Sequence, residues 1–252
     1  MELTNHRAHL FFTFPEQISD RGLLQRYESL LSDAESAQMS RFYYAGHRHQ
    51  YLVTRALIRS SLSAFFPVDP ASWQFNTGAY GKPDIEHPEV EIPARFNISH
   101  TRGLIVCAIV RDYEVGVDVE DTERSTRAGL DSLSSYFSPH EINELGQLPA
   151  ARQKQRFFDY WTLKESYIKA RGLGLAIPLD QFSFQFRADR LVGFQVDEEL
   201  NDEAGNWQFW RMAVKQRYKV ALALNAAGFD IELNAYYSLP MVSNETFPLT
   251  IL

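Results

Sequence analysis

The sequence has little cysteine and no excess of positive charge, and both features exclude classes of protein. Cys107 is the one cysteine in 252 residues, so no disulfide can form within the chain and a reducing compartment is expected. Its thiol lies in the apolar run 104–110, where burial makes a thiol inert. The formal net charge is −7, which argues against a general nucleic-acid binder, because such proteins bind phosphates through basic patches. A local basic pocket for one phosphorylated ligand is still compatible with this charge.

The chain also lacks a long hydrophobic run and a signal peptide. Residues 1–15 contain no basic segment followed by an apolar stretch, as a secretory signal would require. No apolar segment approaches the roughly 20 residues that a membrane-spanning helix needs. We therefore expect a cytoplasmic protein that has no membrane partner of its own.

The order of the predicted elements indicates an α+β fold built from two similar halves. In the first half we predict strands at 9–14 and 104–110 and a helix at 48–66, and in the second half a strand at 115–120, a helix at 150–171 and a hairpin of 207–214 with 218–224. No Pro- or Ser-rich linker separates the halves. We predict an N-terminal subdomain over 1–114 and a C-terminal subdomain over 115–252, tightly packed.

Local signals define where several of these helices begin and end. Ser32 with Glu35, and Ser138 with Glu141, have the spacing of capping boxes. Gly172 is placed to end the helix at 150–171 in a left-handed conformation.

The strand at 115–120 carries two acidic side chains on one face. Asp118 and Glu120 lie about 6.5–7 Å apart along the strand, since alternate residues share a face. Two carboxylates at this spacing repel each other unless a cation lies between them, and oxygen-only ligands favour Mg²⁺ before Mn²⁺. Gly116 is predicted to keep the same face open for a ligand. The alternative is an ordinary polar strand face.

The helix at 150–171 carries a second set of functional residue types. Glu165 and Lys169 are separated by four residues and share a face with Trp161. Glu165 suits a metal ligand or a general base, Lys169 suits a phosphate contact, and Trp161 suits a wall of the site. A surface ion pair beside a packed tryptophan is the alternative.

Several other polar residues are candidates for contacts with an anion. Ser99 and His100 are predicted where a loop enters the strand at 104–110, a usual place for ligand contacts, and Lys82 lies in a rigid Gly-Lys-Pro turn. Arg48, Arg55 and Arg59 fall within a narrow arc of their helix, and form either a solvated basic face or one wall of an anion pocket.

Taken together and in this order, these segments resemble the 4'-phosphopantetheinyl transferases of the surfactin-synthetase-activating type. That family's signature is an apolar-Gly-apolar-Asp-apolar-Glu strand followed by an aromatic-x-x-Lys-Glu-Ser/Ala-x-x-Lys helix. Residues Val115 to Glu120 and Trp161 to Lys169 fill every signature position. The segments 81–83 and 97–100 also match. The clear resemblance covers about residues 79–172.

The resemblance implies a fold, a substrate and a set of site residues. Two α/β subdomains related by a pseudo-twofold axis would bind coenzyme A in the cleft between them, in a monomer. Asp118, Glu120 and Glu165 would hold Mg²⁺, with Mn²⁺ as a second choice. The remaining contacts implied for coenzyme A involve basic and polar side chains, namely Lys82, Ser99 and His100 at the nucleotide end and Lys164 and Lys169 near the pyrophosphate.

The implied reaction transfers 4'-phosphopantetheine from coenzyme A to a serine of an acyl or peptidyl carrier protein. Glu165 would be the general base, with Asp118 and Lys169 as further catalytic residues. One segment departs from the family pattern, because Glu35 and Gln38 stand where relatives carry basic residues. Arg48 or Arg55 would then compensate as contacts to the 3'-phosphate.

Two other functions compete with this interpretation. One is a non-catalytic module that only binds a carrier protein or coenzyme A, although such a copy is expected to lose part of the acidic triad. The other is a magnesium-dependent nucleotide hydrolase that uses water in place of a carrier serine. The aromatic pair Tyr136 and Phe137 is either a docking edge for the carrier or ordinary core packing.

Overall fold

The computed structural model describes residues 1–78, 80–123 and 136–252, with only the backbone at Leu175. It divides into two compact units, each with its own sheet. Unit 1 comprises Met1–Thr77, Pro83–Asp112 and Asp230–Pro248, and unit 2 comprises Gly78–Lys82, Tyr113–Phe229 and Leu249–Leu252. Each unit combines helices with mainly antiparallel strands, so the predicted α+β class is confirmed. A single division at 114 does not describe these units, because residues 230–248 belong to unit 1 and residues 78–82 belong to unit 2.

Unit 1 is built on a five-stranded sheet of order β12-β11-β1-β5-β4. Strand β1 pairs in parallel with β11 and antiparallel with β5. The strands of this sheet are β1 (Arg7–Thr13), β4 (Ala94–Thr101), β5 (Leu104–Arg111), β11 (Glu232–Leu239) and β12 (Ser243–Thr246). A separate hairpin in the same unit consists of β2 (Gln74–Thr77) and β3 (Pro83–His87).

Three helices belong to unit 1, namely α1 (Arg21–Glu28), α2 (Asp33–Ser40) and α3 (Ala45–Ser63). Apolar residues of α3, including Leu57 and Ile58, pack with Phe11, Phe96 and Cys107 in one buried cluster. Burial also raises the pKa of the Cys107 thiol, which agrees with the inert cysteine expected from the sequence.

Unit 2 is built on a four-stranded antiparallel sheet of order β13-β9-β10-β6. Its strands are β6 (Glu114–Asp121), β9 (Trp207–Val214), β10 (Tyr218–Asn225) and β13 (Thr250–Ile251), and a separate hairpin consists of β7 (Phe182–Arg187) and β8 (Arg190–Val196). Helices α4 (Pro139–Gln147) and α5 (Ala150–Arg171) belong to the same unit. Helix α5 packs across β6 and β10 and contributes Tyr160, Leu163 and Tyr167 to the core.

The local signals in the sequence form the caps that were expected. Ser32 and Ser138 each accept a backbone hydrogen bond, and Glu35 and Glu141 reciprocate in complete capping boxes. Gly172 has φ +65° and ends α5 in the left-handed conformation. Among the described residues, no helix combines the length and the apolar composition needed to cross a membrane.

Candidate active site

Strand β6 and helix α5 approach each other most closely at Gly116. A Cβ atom at this position would lie 2.0 Å from the Ser166 carbonyl oxygen and 2.4 Å from the Ala170 nitrogen. The prediction that Gly116 keeps an open face for a ligand is therefore wrong. The helix covers this end of the strand, and glycine is needed because any side chain would separate the two backbones.

The chain directions of β6 and α5 are opposite, so the strand followed forward from Gly116 and the helix followed backward from Ala170 cover nearly the same distance. The strand rises about 13 Å from Gly116 to Glu120, and the helix rises about 13.5 Å from Ala170 back to Trp161. Accordingly, Trp161 Nε1 donates a hydrogen bond to Glu120 Oε1 at 3.1 Å. The matched lengths explain how the five-residue strand segment 116–120 meets the ten-residue helix segment 161–170 at both ends.

Asp118 and Lys169 meet between those two ends. Lys169 Nζ lies 2.6 Å from Asp118 Oδ1, and the Asp118 side chain is buried while Lys169 is partly exposed. The structure therefore brings together one predicted strand carboxylate and the predicted phosphate-binding lysine. Their contact holds the ammonium group beside the acidic face of the strand.

Glu165 belongs to the same electrostatic environment. Burial raises the pKa of its carboxyl group, the charges of Asp118 and Glu120 raise it further, and the Lys169 ammonium group opposes the increase. A raised pKa makes a carboxylate a stronger base. The general-base role of Glu165 stays a prediction.

The acidic residues of this junction are of the type that binds magnesium, but they are not already assembled around one metal position. Carboxylate oxygens are the donors that Mg²⁺ prefers. Over residues 1–78, 80–123 and 136–252, no three carboxylate, imidazole or thiol groups stand close enough to form a ready metal site. The expected convergence of Asp118, Glu120 and Glu165 on one ion is therefore not preformed. Mg²⁺ usually binds one or two carboxylates together with waters and substrate phosphates, and these residues fit that mode.

Lys164 has a structural role, contrary to its predicted contact with the pyrophosphate. Its Nζ atom donates to the carbonyl oxygens of Leu179 at 2.6 Å and Phe182 at 2.7 Å, and lies 2.9 Å from Glu141 Oε2. An ammonium group has three donors, and these three partners take them all inside the core. Burial lowers the pKa of Lys164 and raises the pKa of Glu141, and their mutual attraction opposes both changes.

Lys82 lies at the C-terminal end of α5. Its Nζ atom donates to the Ala170 carbonyl oxygen at 2.7 Å, where a positive charge is favourable because the last carbonyl groups of a helix are exposed. The turn before it is closed by a hydrogen bond from the Gly78 nitrogen to the Lys82 carbonyl oxygen, and Gly81 has φ +83°. The turn that was predicted over 79–83 is therefore observed at residues 80–82. Residue 79 lies outside the described residues.

Ser99 and His100 lie within strand β4 of unit 1, where they pair with Val106 and Ile105 of β5. The prediction that they mark the entry of a loop into the strand at 104–110 is wrong, because the segment before that strand is itself extended. Ser99 is buried and His100 is exposed. Their contact with a nucleotide stays a prediction.

The three arginines of α3 do not form an open anion pocket. Glu35, at a position where basic residues were expected, lies 2.6 Å from Arg59 Nη2 and 3.3 Å from Arg55 Nε, so one carboxylate faces two guanidinium groups and one positive charge is left over. Arg48 donates to the carbonyl oxygens of Phe42 at 2.7 Å and Tyr43 at 3.0 Å. The phosphate contact of Arg48 or Arg55 stays a prediction.

The two residues of the aromatic pair at 136–137 have different surroundings. Phe137 is fully buried and packs with Tyr160 and Phe157, which confirms ordinary core packing. Tyr136 is partly exposed and meets Trp161 edge to face, with ring centroids 5.6 Å apart. Only Tyr136 therefore stays a candidate for a docking edge.

A buried ionic network beside the junction was missed from the sequence. Asp159 of α5 lies 2.8 Å from Arg211 Nη2 of β9 and 2.9 Å from Lys219 Nζ of β10. The hairpin of β9 and β10 is predictable, but its position beside β6 is not marked by any local pattern. Asp159 is two residues before Trp161 and therefore lies on a different face of α5, so the motif at 161–169 gave no signal for it.

Comparison with known proteins relates both parts of the chain to one group. Residues 114–223 match a family model described as the 4'-phosphopantetheinyl transferase superfamily, and residues 20–111 match one described as the N-terminal part of 4'-phosphopantetheinyl transferase. Among similar proteins is 4'-phosphopantetheinyl transferase Sfp of Bacillus subtilis strain 168, 32% identical over 85% of this chain and 92% of that protein. Another is 4'-phosphopantetheinyl transferase HetI of Nostoc sp., 35% identical over 61% of this chain and 64% of that protein.

Proposed function

Because the chain belongs to the 4'-phosphopantetheinyl transferase superfamily, we propose that it transfers 4'-phosphopantetheine from coenzyme A to a serine of an apo carrier protein. The products are the holo-carrier and adenosine 3',5'-bisphosphate. The observation that supports this most directly is the junction of β6 and α5, which joins Asp118, Glu165 and Lys169 in one electrostatic environment.

The reaction requires a base because a serine hydroxyl is a weak nucleophile at neutral pH. The serine oxygen attacks the β-phosphorus of coenzyme A and forms the new P–O bond. The bond between this phosphorus and the bridging oxygen breaks, and the bisphosphate leaves with the electron pair. Glu165 takes the serine proton, directly or through a water, and its raised pKa suits that step.

Lys169 stabilises the charge that moves onto the leaving group. Lys169, held 2.6 Å from Asp118, would neutralise oxygens of the pyrophosphate as the bridging bond breaks. Positioning and electrostatic stabilisation dominate in reactions of this class, so the fixed contact between Lys169 and the strand has a functional value.

Asp118 and Glu120 are the residues that would hold Mg²⁺, or Mn²⁺ in its place, with Glu165 as a third candidate. When bound, the ion supplies Lewis-acid neutralisation of charge on the phosphate oxygens. Trp161 keeps Glu120 oriented through its Nε1 hydrogen bond at 3.1 Å, as partners of metal-binding carboxylates commonly do.

The nucleotide end of coenzyme A would be held by Lys82, Ser99 and His100, with Arg48 or Arg55 as the candidate for the 3'-phosphate. Lys164 is not included, because Glu141 and two backbone carbonyl groups already take its ammonium group. The proposal also includes that the protein acts as a monomer in the cytoplasm.

The proposal is tested by incubating the purified protein with coenzyme A, Mg²⁺ and an apo carrier protein, followed by intact-mass spectrometry of the carrier. We expect the carrier to gain one phosphopantetheine group. Release of bisphosphate without a carrier would instead identify a hydrolase. Binding of carrier or coenzyme A with neither reaction would identify a non-catalytic module.

A further inference from the structure

The backbone conformation of Gly172 is one reason for a glycine at the end of α5, and a close neighbour is another. With φ +65°, the left-handed conformation is open to asparagine as well as to glycine. The second requirement is steric. A Cβ atom at this position would lie 3.0 Å from Cδ of Lys82, with Cβ and Cγ of the same side chain at 3.8 and 4.0 Å. The first of these distances is too short, because two carbon atoms pack best at about 3.5–4.0 Å.

The Lys82 side chain is held at both of its ends. At the backbone, the Gly81 nitrogen donates to the Gly78 oxygen and the Gly78 nitrogen donates to the Lys82 oxygen, each at 2.9 Å. At the other end, Lys82 Nζ donates to the Ala170 carbonyl oxygen at 2.7 Å. The carbon atoms between these two points pass beside Gly172. A side chain at 172 would therefore have to move them, and the ammonium group with them.

This arrangement places the Lys82 ammonium group beside the proposed reaction site. Ala170, whose carbonyl group accepts its hydrogen bond, packs against Gly116 of β6. The preceding residue in α5 is Lys169, which lies 2.6 Å from Asp118. A positive charge at this end of α5 attracts phosphate groups, and the attraction weakens with distance. The position of the Lys82 charge therefore affects the affinity for a phosphorylated ligand.

We propose that Gly172 is a positioning residue for coenzyme A binding, because the absence of a side chain there lets Lys82 reach the Ala170 carbonyl group across the end of α5. This inference rests on the proposed function, in which Lys82 holds the nucleotide end of coenzyme A. Gly172 acts through Lys82 and not by contact with the substrate. A side chain at 172 displaces the ammonium group and weakens coenzyme A binding, while the residues of the transfer step stay in place.

The test measures coenzyme A affinity by isothermal titration calorimetry, with Mg²⁺ and without a carrier protein. Lys82→Ala should weaken binding about 10- to 100-fold, the range expected for the loss of one hydrogen bond to a charged group. Gly172→Asn keeps the left-handed conformation and adds the Cβ atom, so it should weaken binding at least about fivefold. Its rate of transfer at saturating coenzyme A should stay within about threefold of the parent. A Gly172→Asn protein that binds coenzyme A as tightly as the parent would overturn the inference.

The double variant Gly172→Asn with Lys82→Ala shows whether Gly172 acts through Lys82. Once the long side chain is gone, the added Cβ atom has no ammonium group to displace. The double variant should therefore bind coenzyme A within about twofold of Lys82→Ala alone, whereas residues that act independently would give losses that multiply. Multiplied losses would overturn the inference, and so would a Lys82→Ala protein that binds coenzyme A as the parent does.

Gly228→Asn is the matched control. Gly228 has the same kind of backbone conformation, with φ +78°, but a Cβ atom there meets nothing within 4 Å. Its coenzyme A affinity should stay within about twofold of the parent. A loss equal to that of Gly172→Asn would mean that a side chain at any left-handed glycine weakens binding, and would contradict the specific role of the contact with Lys82.

Thermal unfolding keeps the inference testable if Gly172→Asn does not fold. Because the added atom meets the Lys82 side chain, the double variant should regain a cooperative transition close to that of Lys82→Ala. A double variant that also fails to fold would overturn the inference. A parent protein that binds coenzyme A but forms no holo-carrier would contradict the proposed transfer and leave the affinity test of Gly172 intact, whereas a parent that binds no coenzyme A would contradict both.

Discussion

Lys164 and Glu165 are adjacent in the sequence and lie in opposite surroundings. Lys164 donates to backbone carbonyl groups in the core of unit 2, whereas Glu165 shares its electrostatic environment with Asp118, Glu120 and Lys169. One residue turns a helix by about 100°, so neighbours in a motif need not share a role. The structure gives Lys164 a role in stability, whereas the role of Glu165 in chemistry belongs to the proposed function.

Replacement of Glu165 by Gln tests the chemical role. The change keeps the shape of the side chain and removes its capacity to accept a proton, so the rate of transfer should fall about 10²–10⁴-fold. Single-turnover transfer to an apo carrier measures the rate, and thermal unfolding confirms that the fold is intact. A rate near that of the parent would remove Glu165 from the mechanism.

Replacement of Lys164 by Met tests the structural role. The change leaves the buried Glu141 carboxylate without its cation and should cost about 3–5 kcal/mol of unfolding free energy, measured by urea denaturation. The control is Lys164→Met with Glu141→Gln, which should regain much of the loss because no charge is left buried. A single variant within about 1 kcal/mol of the parent would contradict this account.

At the scale of elements, the closest approach of β6 and α5 depends on Gly116. Gly116→Ala places a methyl group against backbone atoms of Ser166 and Ala170 and should destabilise the protein by about 1–3 kcal/mol, with loss of transfer activity. Gly146→Ala is the matched control, since a Cβ there meets nothing within 4 Å in α4. That change should stabilise the helix by up to about 1 kcal/mol. Equal unfolding midpoints for the two variants would contradict the packing argument.

The elements that could be predicted are those set by local interactions. The capping boxes at Ser32 and Ser138 involve residues three positions apart, and the cap at Gly172 depends on one backbone conformation. The predictions for Gly116 and Lys164 failed because each depends on which element packs over it. Periodicity assigned the carboxylates to one strand face but did not reveal that α5 lies on that face.

At the scale of the molecule, unit 1 takes strands from both ends of the chain. Strand β1 lies between β5 and β11, and β11 follows β1 by more than 200 residues, a pairing that no local pattern indicates. The predicted boundary at 114 therefore leaves out a sheet neighbour of β1. Tyr237 and Phe247, whose rings contact Phe14 and Phe12, lie in the same missing segment.

A fragment of residues 1–114 should consequently fail to fold by itself. Without β11, the edge of β1 is unpaired and its aromatic partners are absent, so the fragment should show no cooperative unfolding transition by circular dichroism. The full chain is the control. A cooperative transition in the fragment would show that residues 230–248 are dispensable for unit 1.

A crystal structure with coenzyme A and Mn²⁺ would show whether the reaction takes place at the junction of β6 and α5. Anomalous scattering from Mn²⁺ locates the ion independently of the protein atoms. We predict a peak at coordination distance from the carboxylates of Asp118 and Glu120, with the coenzyme A pyrophosphate bound to the same ion. A pyrophosphate and ion bound away from both carboxylates would contradict the account.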